Sequence, residues 1–345
     1  MADVTVRGAG IFGLSVAWAC ARRGARVRVI DPNGPGAGAS GGIVGALAPH
    51  TPEAWNDKKQ FQFESLVMAQ TMWAEVAEVS GQDPGYARLG RVQPLPDDAA
   101  IALATRRAET AQALWQGCYH WHIRSADEFA PLVSATAGQV VFDTLSARLH
   151  PRRATHALAA ALTVLGVEIV AEGRARGEEV WATGTHDLAA MSAALGAPVG
   201  NGVKGQAALL EFDARHAPQL YAEGLHIIPH GDGTTAIGST SERDYADPTG
   251  TDALLDDIVA RARALCPAMA DAPVIARWAG LRPRARSRAP MLGLHPTRSG
   301  AFIANGGFKI GFGMAPKVGA VMADLILEGR DTISDSFKPA ASLPK

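Results

Sequence analysis

Cysteine is nearly absent. Cys20, Cys118 and Cys266 stand far apart in 345 residues and fit neither a disulfide framework nor a metal-ligand spacing. Three buried thiols in a reducing compartment are the expectation. An excess of charge of one sign is also missing: 33 basic and 34 acidic residues leave a formal net charge of −1. Nothing global therefore favours nucleic acid or an anionic membrane as partner. No segment reaches the roughly 18–20 apolar residues that span a bilayer. The apolar stretch 11–21 lacks a basic flank and reads as a helix of the fold rather than a signal segment. A cytoplasmic protein is expected. The aromatic and histidine cluster Tyr119-His120-Trp121-His122 has no acidic or cysteine partner at ligand spacing, so no metal site is expected there.

The chain does hold 47% hydrophobic and 19% charged residues, the composition of a globular protein large enough for two domains. Its opening, Val4-Thr5-Val6-Arg7-Gly8-Ala9-Gly10-Ile11-Phe12-Gly13, runs through a helical stretch to Val27-Arg28-Val29-Ile30-Asp31. This reads as strand, glycine turn, helix, strand and an acidic tip, the pattern of a dinucleotide-binding βαβ unit. Gly8 permits the turn, Gly10 the approach of a pyrophosphate, and Gly13 the packing of helix on strand. The helix N-terminus supplies N–H groups and positive potential for the phosphates. Asp31 is set to accept hydrogen bonds from a ribose. Arg7 is the odd residue, a charge at the end of a strand expected to be buried, which must snorkel or pair.

The glycine-rich segment 34–50 follows, where Ser40 can offer a hydroxyl and Gly41 and Gly42 let backbone run along a ligand. His50 ends it, either as a structural histidine or with a part in catalysis. Helices are expected over 58–80, with Lys58 and Lys59 as a solvated start, over 97–117 and over 152–165. The strand Val167-Glu168-Ile169-Val170 returns the chain to the first sheet, and 178–185 adds a strand ending in the small residues Thr183 and Gly184. Beyond Lys204 come strands at 207–212, 225–229 and 234–237, the last two joined by a turn at Gly231-Asp232-Gly233. Hairpins in place of βαβ units imply a second, antiparallel sheet. A helix at 252–266 stops at Pro267.

Four arginines, Arg282, Arg284, Arg286 and Arg288, alternate after Trp278-Ala279-Gly280-Leu281. In extended backbone all four project to one side, as a solvated face or an anion site. A strand at 301–304 then feeds a second glycine loop, Gly306-Gly307-Phe308-Lys309-Ile310-Gly311, and a helix expected to carry Pro316 in its first turn.

Together the opening unit, the Ala39-Ser40-Gly41-Gly42 segment, the stretch from Trp278 to Pro283 and the segment 306–319 resemble the FAD-dependent D-amino-acid oxidase family, most closely its glycine-oxidase and sarcosine-oxidase-like branches. The resemblance implies an α/β protein with a Rossmann-like FAD-binding domain of the glutathione-reductase type. Its segments would be 1–85, 147–204 and 270–345, with an inserted antiparallel-sheet substrate domain from 86–146 and 205–269. It implies that Gly8, Gly10, Ile11, Phe12, Gly13 and Asp31 hold the ADP half of non-covalent FAD. Ser40, Gly41 and Gly42 would approach the pyrophosphate and flavin, with Val170, Thr183 and Gly184 alongside. Gly306, Gly307, Phe308, Lys309, Ile310 and Gly311 would line the ring. Arg282 would pair with a substrate carboxylate, and Lys309 and His50 complete the candidate catalytic set. The implied chemistry passes hydride from the carbon bearing nitrogen to the flavin, with oxygen or a quinone as acceptor and an amino acid or amine as substrate. A homo-oligomer is compatible with this reading.

The sequence departs from the family where Gly307 replaces a frequent histidine and Ser287 and its arginines replace a more acidic stretch. No cysteine stands near Gly306 to make a covalent flavin link. Other readings are a tRNA-modifying flavoenzyme, a nicotinamide-dependent dehydrogenase and a non-catalytic flavoprotein subunit. The absence of a basic domain weighs against the first, and the second glycine loop against the next.

Overall fold

Alternation of small β-branched residues with polar ones at 3–7 makes the first strand, and the glycine turn at 8–10 hands it to a helix. In the computed structural model, which describes residues 3–134 and 138–343, this is β1 (Asp3–Arg7) followed by α1 (Ile11–Arg22) and β2 (Arg26–Ile30). Next come β3 (Ala46–Leu47), α2 (Asp57–Ser80), β4 (Arg91–Pro94), α3 (Asp98–Leu114), β5 (Trp121–Ser125), β6 (Gln139–Asp143) and β7 (Ala147–Arg148). The chain continues through α4 (Pro151–Val164), β8 (Glu168–Val170), β9 (Glu178–Trp181), α5 (Thr185–Leu195) and β10 (Gly200–Leu210). It then runs through β11 (Gln219–Ala222), β12 (Leu225–Pro229), β13 (Thr235–Gly238), α6 (Ala253–Leu265) and β14 (Val274–Ala285). Last are β15 (Met291–Leu294), β16 (Ala301–Asn305) and α7 (Gly311–Glu328).

Capping explains several boundaries. The side chains of Asn56, Asp97 and Asp252 accept from Lys59 N, Ala100 N and Leu254 N, at 3.1, 2.8 and 3.0 Å. Each such cap is worth about 1 kcal/mol. One expected start is displaced: α7 begins at Gly311, so Pro316 lies inside the helix and not in its first turn. Its ring removes one donor to the turn below, a cost the buried packing of Val318, Val321 and Met322 outweighs. The helix α5 has no counterpart in the sequence reading.

A six-stranded sheet runs β15-β16-β9-β1-β2-β8, parallel except for the β15–β16 pair. Its core packs Val4, Val6, Val29 and Val180 against Leu14, Leu158 and Val318 from α1, α4 and α7. An eight-stranded sheet runs β14-β10-β13-β12-β11-β4-β6-β5, with one parallel junction, β11 to β4, in an otherwise antiparallel array. A separate core of Val92, Leu210, Ile227, Ile237 and Leu255 underlies this second sheet. The expected segment limit at 204 falls inside β10 of this sheet, and that at 270 falls just before β14. Strand β10 starts at Gly200, and β14 keeps Val274–Ala285 paired along its length. That pairing joins residues 64 to 85 apart in sequence, which local pattern does not encode.

Of the three cysteines, Cys20 and Cys266 are buried but Cys118 is exposed, a correction to the expectation of three buried thiols. Burial pushes the Cys20 thiol up to about 12. Among the described residues no helix is long and apolar enough to cross a membrane, and no group of three or more His, Cys, Asp or Glu could hold a metal ion.

Candidate active site

A cavity of about 860 Å³ opens between the two sheets. On the first sheet its wall begins at the glycine turn. Gly8 has φ +106°, in the region that favours glycine. Asp31, at the tip of β2, braces that turn: its Oδ2 accepts from Ala9 N at 2.8 Å and its Oδ1 from Asn33 N at 2.9 Å. The N-terminus of α1 has no side-chain cap of its own. Ser40 supplies one from the second loop, accepting from Ile11 N at 2.9 Å.

Most of the sequence-derived candidates converge on this cavity. Gly8, Gly10, Ile11, Phe12, Asp31, Ser40, Gly42, Thr183, Gly184, Gly306, Gly307, Phe308, Lys309, Gly311 and Arg282 all line it. Gly13, Gly41, Val170 and Ile310 lie behind the wall. Gly41 O accepts from Arg152, and Val170 O accepts from Asp31 N at 3.0 Å. His50 is absent from the lining. Gln62 Oε1 accepts from its backbone N at 2.8 Å and also meets its ring Nδ1, while burial lowers its pKa. That is the setting of a histidine held in structure. The departure at Gly307 has a steric counterpart, because a Cβ there would lie 2.9 Å from the Phe12 ring.

Arg7, the odd residue of the opening, both pairs and stacks. It forms an ion pair with Glu179 and lies 5.0 Å from the Trp181 ring, which also has the Arg298 guanidinium at 3.6 Å.

The arginine row does not form one face. Strand β14 ends at Ala285, so only Arg282 and Arg284 keep the alternation. Arg284 lies 5.4 Å from the Phe308 ring, Arg286 donates to Ser342 O at 3.1 Å, and Arg288 turns at φ +61°. Of the four, Arg282 alone lines the cavity. Its Nη2 donates to Ser239 Oγ at 2.7 Å and its Nη1 to Thr240 O at 3.3 Å. Burial pushes its pKa down to about 10, opposed by the charge of Glu242. At that value it remains a cation at neutral pH. Lys309 adds a second positive charge, its pKa lowered first by burial and then by Arg282 and Arg284. Asp31 is the one carboxylate among the described residues of the lining. The Trp278 ring covers Gly42 and Gly280.

Sequence reading missed Ser239, Thr240 and His226. The His226 imidazole lies tilted against the Tyr221 ring with centroids 4.6 Å apart, and burial, then Arg91, Lys309 and Arg282, push its pKa down to about 3. It is neutral at working pH. No motif marks these residues, since only the pairing of β12, β13, β10 and β14 assembles them.

FAD fits this wall on an observation independent of any motif. Thr183 Oγ1 is buried in the lining with no hydrogen-bond partner among the described residues, a polar group that needs a ligand atom. Comparison with known proteins agrees. A sequence model described as FAD dependent oxidoreductase matches residues 3–325. Glycine oxidase from Pseudomonas aeruginosa is 28% identical over 382 aligned positions, covering 99% of both chains. Glycine oxidase from Geobacillus kaustophilus is 26% identical over 96% of this chain and 94% of its own. The crystal structure of glycine oxidase from Geobacillus kaustophilus superposes with TM-score 0.84 at 21% identity, covering 98% of each chain. Iminodiacetate oxidase from Chelativorans sp. BNC1 gives 0.82 at 22%, covering 97% of this chain and 98% of that one. The chain described here belongs to the family of FAD dependent oxidoreductases.

Proposed function

We propose that this protein oxidises the C–N bond of a small amino acid or secondary amine, giving an imine and, with oxygen as acceptor, hydrogen peroxide. The observation that carries the substrate class is Arg282, which lines the cavity and, among the described residues, has two of its five guanidinium N–H donors engaged by protein. A planar fork with free donors recognises a carboxylate in bidentate fashion. The named relatives, glycine oxidases, support the same class. When bound, FAD supplies the two-electron acceptor that takes hydride from the carbon bearing nitrogen and passes the electrons on to oxygen.

The protein's own residues orient and shield. Gly8, Gly10, Thr183 and the N-terminus of α1 hold the cofactor's phosphate-bearing half, and Asp31 its ribose. The loop from Gly306 to Gly311 lines the ring. Arg282 and Lys309 hold the substrate carboxylate, which fixes the amine-bearing carbon relative to the ring. Trp278 and the apolar residues Ile43 and Val44 exclude water from that side. The neutral amine form of the substrate delivers the electron pair, so no strong general base is required of the protein.

The test is a panel of glycine, sarcosine, other N-methyl amino acids and D- and L-amino acids on the purified holoenzyme, read by peroxide release and oxygen uptake. Turnover of carboxylate-bearing amines supports the proposal. Silence across the panel removes it.

A further inference from the structure

Among the described residues, none forms a direct ion pair with Arg282. Its two protein acceptors are Ser239 Oγ and Thr240 O, neighbours on one short segment. That segment is fixed in turn by a polar network, buried except at the half-exposed Asp252 side chain. The Thr240 hydroxyl donates to Glu242 Oε1 and accepts from Gln206 N at 2.8 Å. Gln206 Nε2 donates to the same Glu242 oxygen at 3.1 Å and to Asp252 Oδ1 at 2.7 Å. Gln206 Oε1 accepts from Asp252 N at 2.9 Å. Lys204 Nζ stands 3.7 Å from Glu242 Oε2 and 3.5 Å from Asp252 Oδ2. Gln206 is fully buried, Lys204 nearly so, and the Glu242 side chain keeps only 12% of its surface exposed. Backbone bonds in both directions between Lys204 and Glu242, each 2.9 Å, tie the segment to β10.

A buried carboxylate this well hydrogen-bonded is costly to assemble and is retained when it fixes geometry. The Arg282 fork must meet a carboxylate with two parallel bonds, so an error of about 1 Å in its seat is felt directly. We infer that Glu242 is a positioning residue for substrate binding: through the Thr240 hydroxyl it locks the seat on which the Arg282 fork rests. The inference builds on the role of Arg282 proposed above. Glu242 itself touches neither the cavity nor the substrate.

The experiment compares Glu242→Ala, Glu242→Gln, Thr240→Val and Arg282→Ala as FAD-loaded enzymes. Acetate, titrated against the flavin absorption spectrum, reports the carboxylate seat alone, and steady-state kinetics with the best amino-acid substrate separate KM from kcat. Glu242→Ala is expected to raise both the acetate Kd and KM about tenfold, with kcat within about twofold. Glu242→Gln, which keeps an acceptor oxygen for Thr240, is expected to recover part of the loss. Thr240→Val breaks the same link without removing a charge and repeats the Glu242→Ala effect, which keeps the test decisive should Glu242→Ala fold poorly. Arg282→Ala combined with Thr240→Val is expected to bind acetate no more weakly than Arg282→Ala alone. If Arg282→Ala weakens acetate while Glu242→Gln and Thr240→Val leave Kd and KM unchanged, Glu242 is a structural residue and the inference falls. If Arg282→Ala itself leaves acetate binding unchanged, the carboxylate role of Arg282 fails first, and the positioning role with it.

Discussion

The Arg282 guanidinium lies directly against the α-carbon of Gly205, where a Cβ would stand 1.7 Å from Nη1 and 2.1 Å from Cζ. Gly205, at its register position opposite Gly280 on β14, thus provides the space into which the side chain folds. Gly205→Ala is expected to displace the guanidinium and raise KM for carboxylate substrates about tenfold or more. FAD content is expected to stay unchanged, because the flexible arginine moves and the strand does not. Kinetics together with the flavin-to-protein absorbance ratio check this.

Asp31 holds the phosphate turn through Ala9 N, and its own loop through Asn33 N, as well as facing the proposed ribose. Asp31→Ala is expected to weaken FAD retention roughly tenfold or more, the loss of charge-assisted bonds worth about 1.5–3 kcal/mol. Fluorescence of released FAD on dilution measures it. Unchanged affinity removes Asp31 from the cofactor site.

What sequence could reveal here follows the reach of the interactions. The glycine turn, the caps at Asp97 and Asp252 and the hairpin at Gly231–Gly233 are local, and their residues announce them. Strand β12 falls at Leu225–Pro229, the span that alternation and flanking turns mark. The helix α5 was hidden because its first turn follows the small residues of a strand end. The arginine row misled because alternation implies one face only while the strand lasts, and β14 stops at Ala285. Gly205, Ser239, Thr240 and Glu242 carry no motif. Their relation to Arg282 exists only once β10, β13 and β14 pair across long stretches of chain. His50 illustrates the converse, a suggestive residue whose partner, Gln62, lies one helix away.

Acid sensitivity follows from His230. Its Nε2 donates to Ile43 O at 3.0 Å, its ring lies tilted against His150 with centroids 4.6 Å apart, and Arg148 and Asp232 are its charged neighbours. Burial first, then His150, pushes its pKa down to about 4 from the ordinary 6.5. Between those values the unfolded chain binds the proton and the folded chain does not, so stability falls as pH drops from about 6.5 toward 4. Melting temperature against pH is expected to slope less in His230→Gln than in the native protein. An identical slope assigns the acid loss to other groups.

Lys309 predicts an alkaline limb. Its lowered pKa means that the ammonium is lost at a pH below the ordinary lysine value, while Arg282 keeps its charge up to about 10. KM for a carboxylate substrate is therefore expected to begin rising at a pH below the ordinary lysine range. Lys309→Met is expected to start from a higher KM and lack this limb. A limb of the same size in the variant excludes Lys309 from the anion seat.

The most direct test is anaerobic mixing of the FAD-loaded enzyme with sarcosine or glycine and, in parallel, with dimethylamine or methylamine, which lack the carboxylate. Bleaching of the flavin band by the amino acids at concentrations where the simple amines do nothing is expected, and Arg282→Ala is expected to abolish that difference. A flavin that bleaches equally with both kinds of amine, or with neither, would contradict carboxylate-directed C–N oxidation at Arg282.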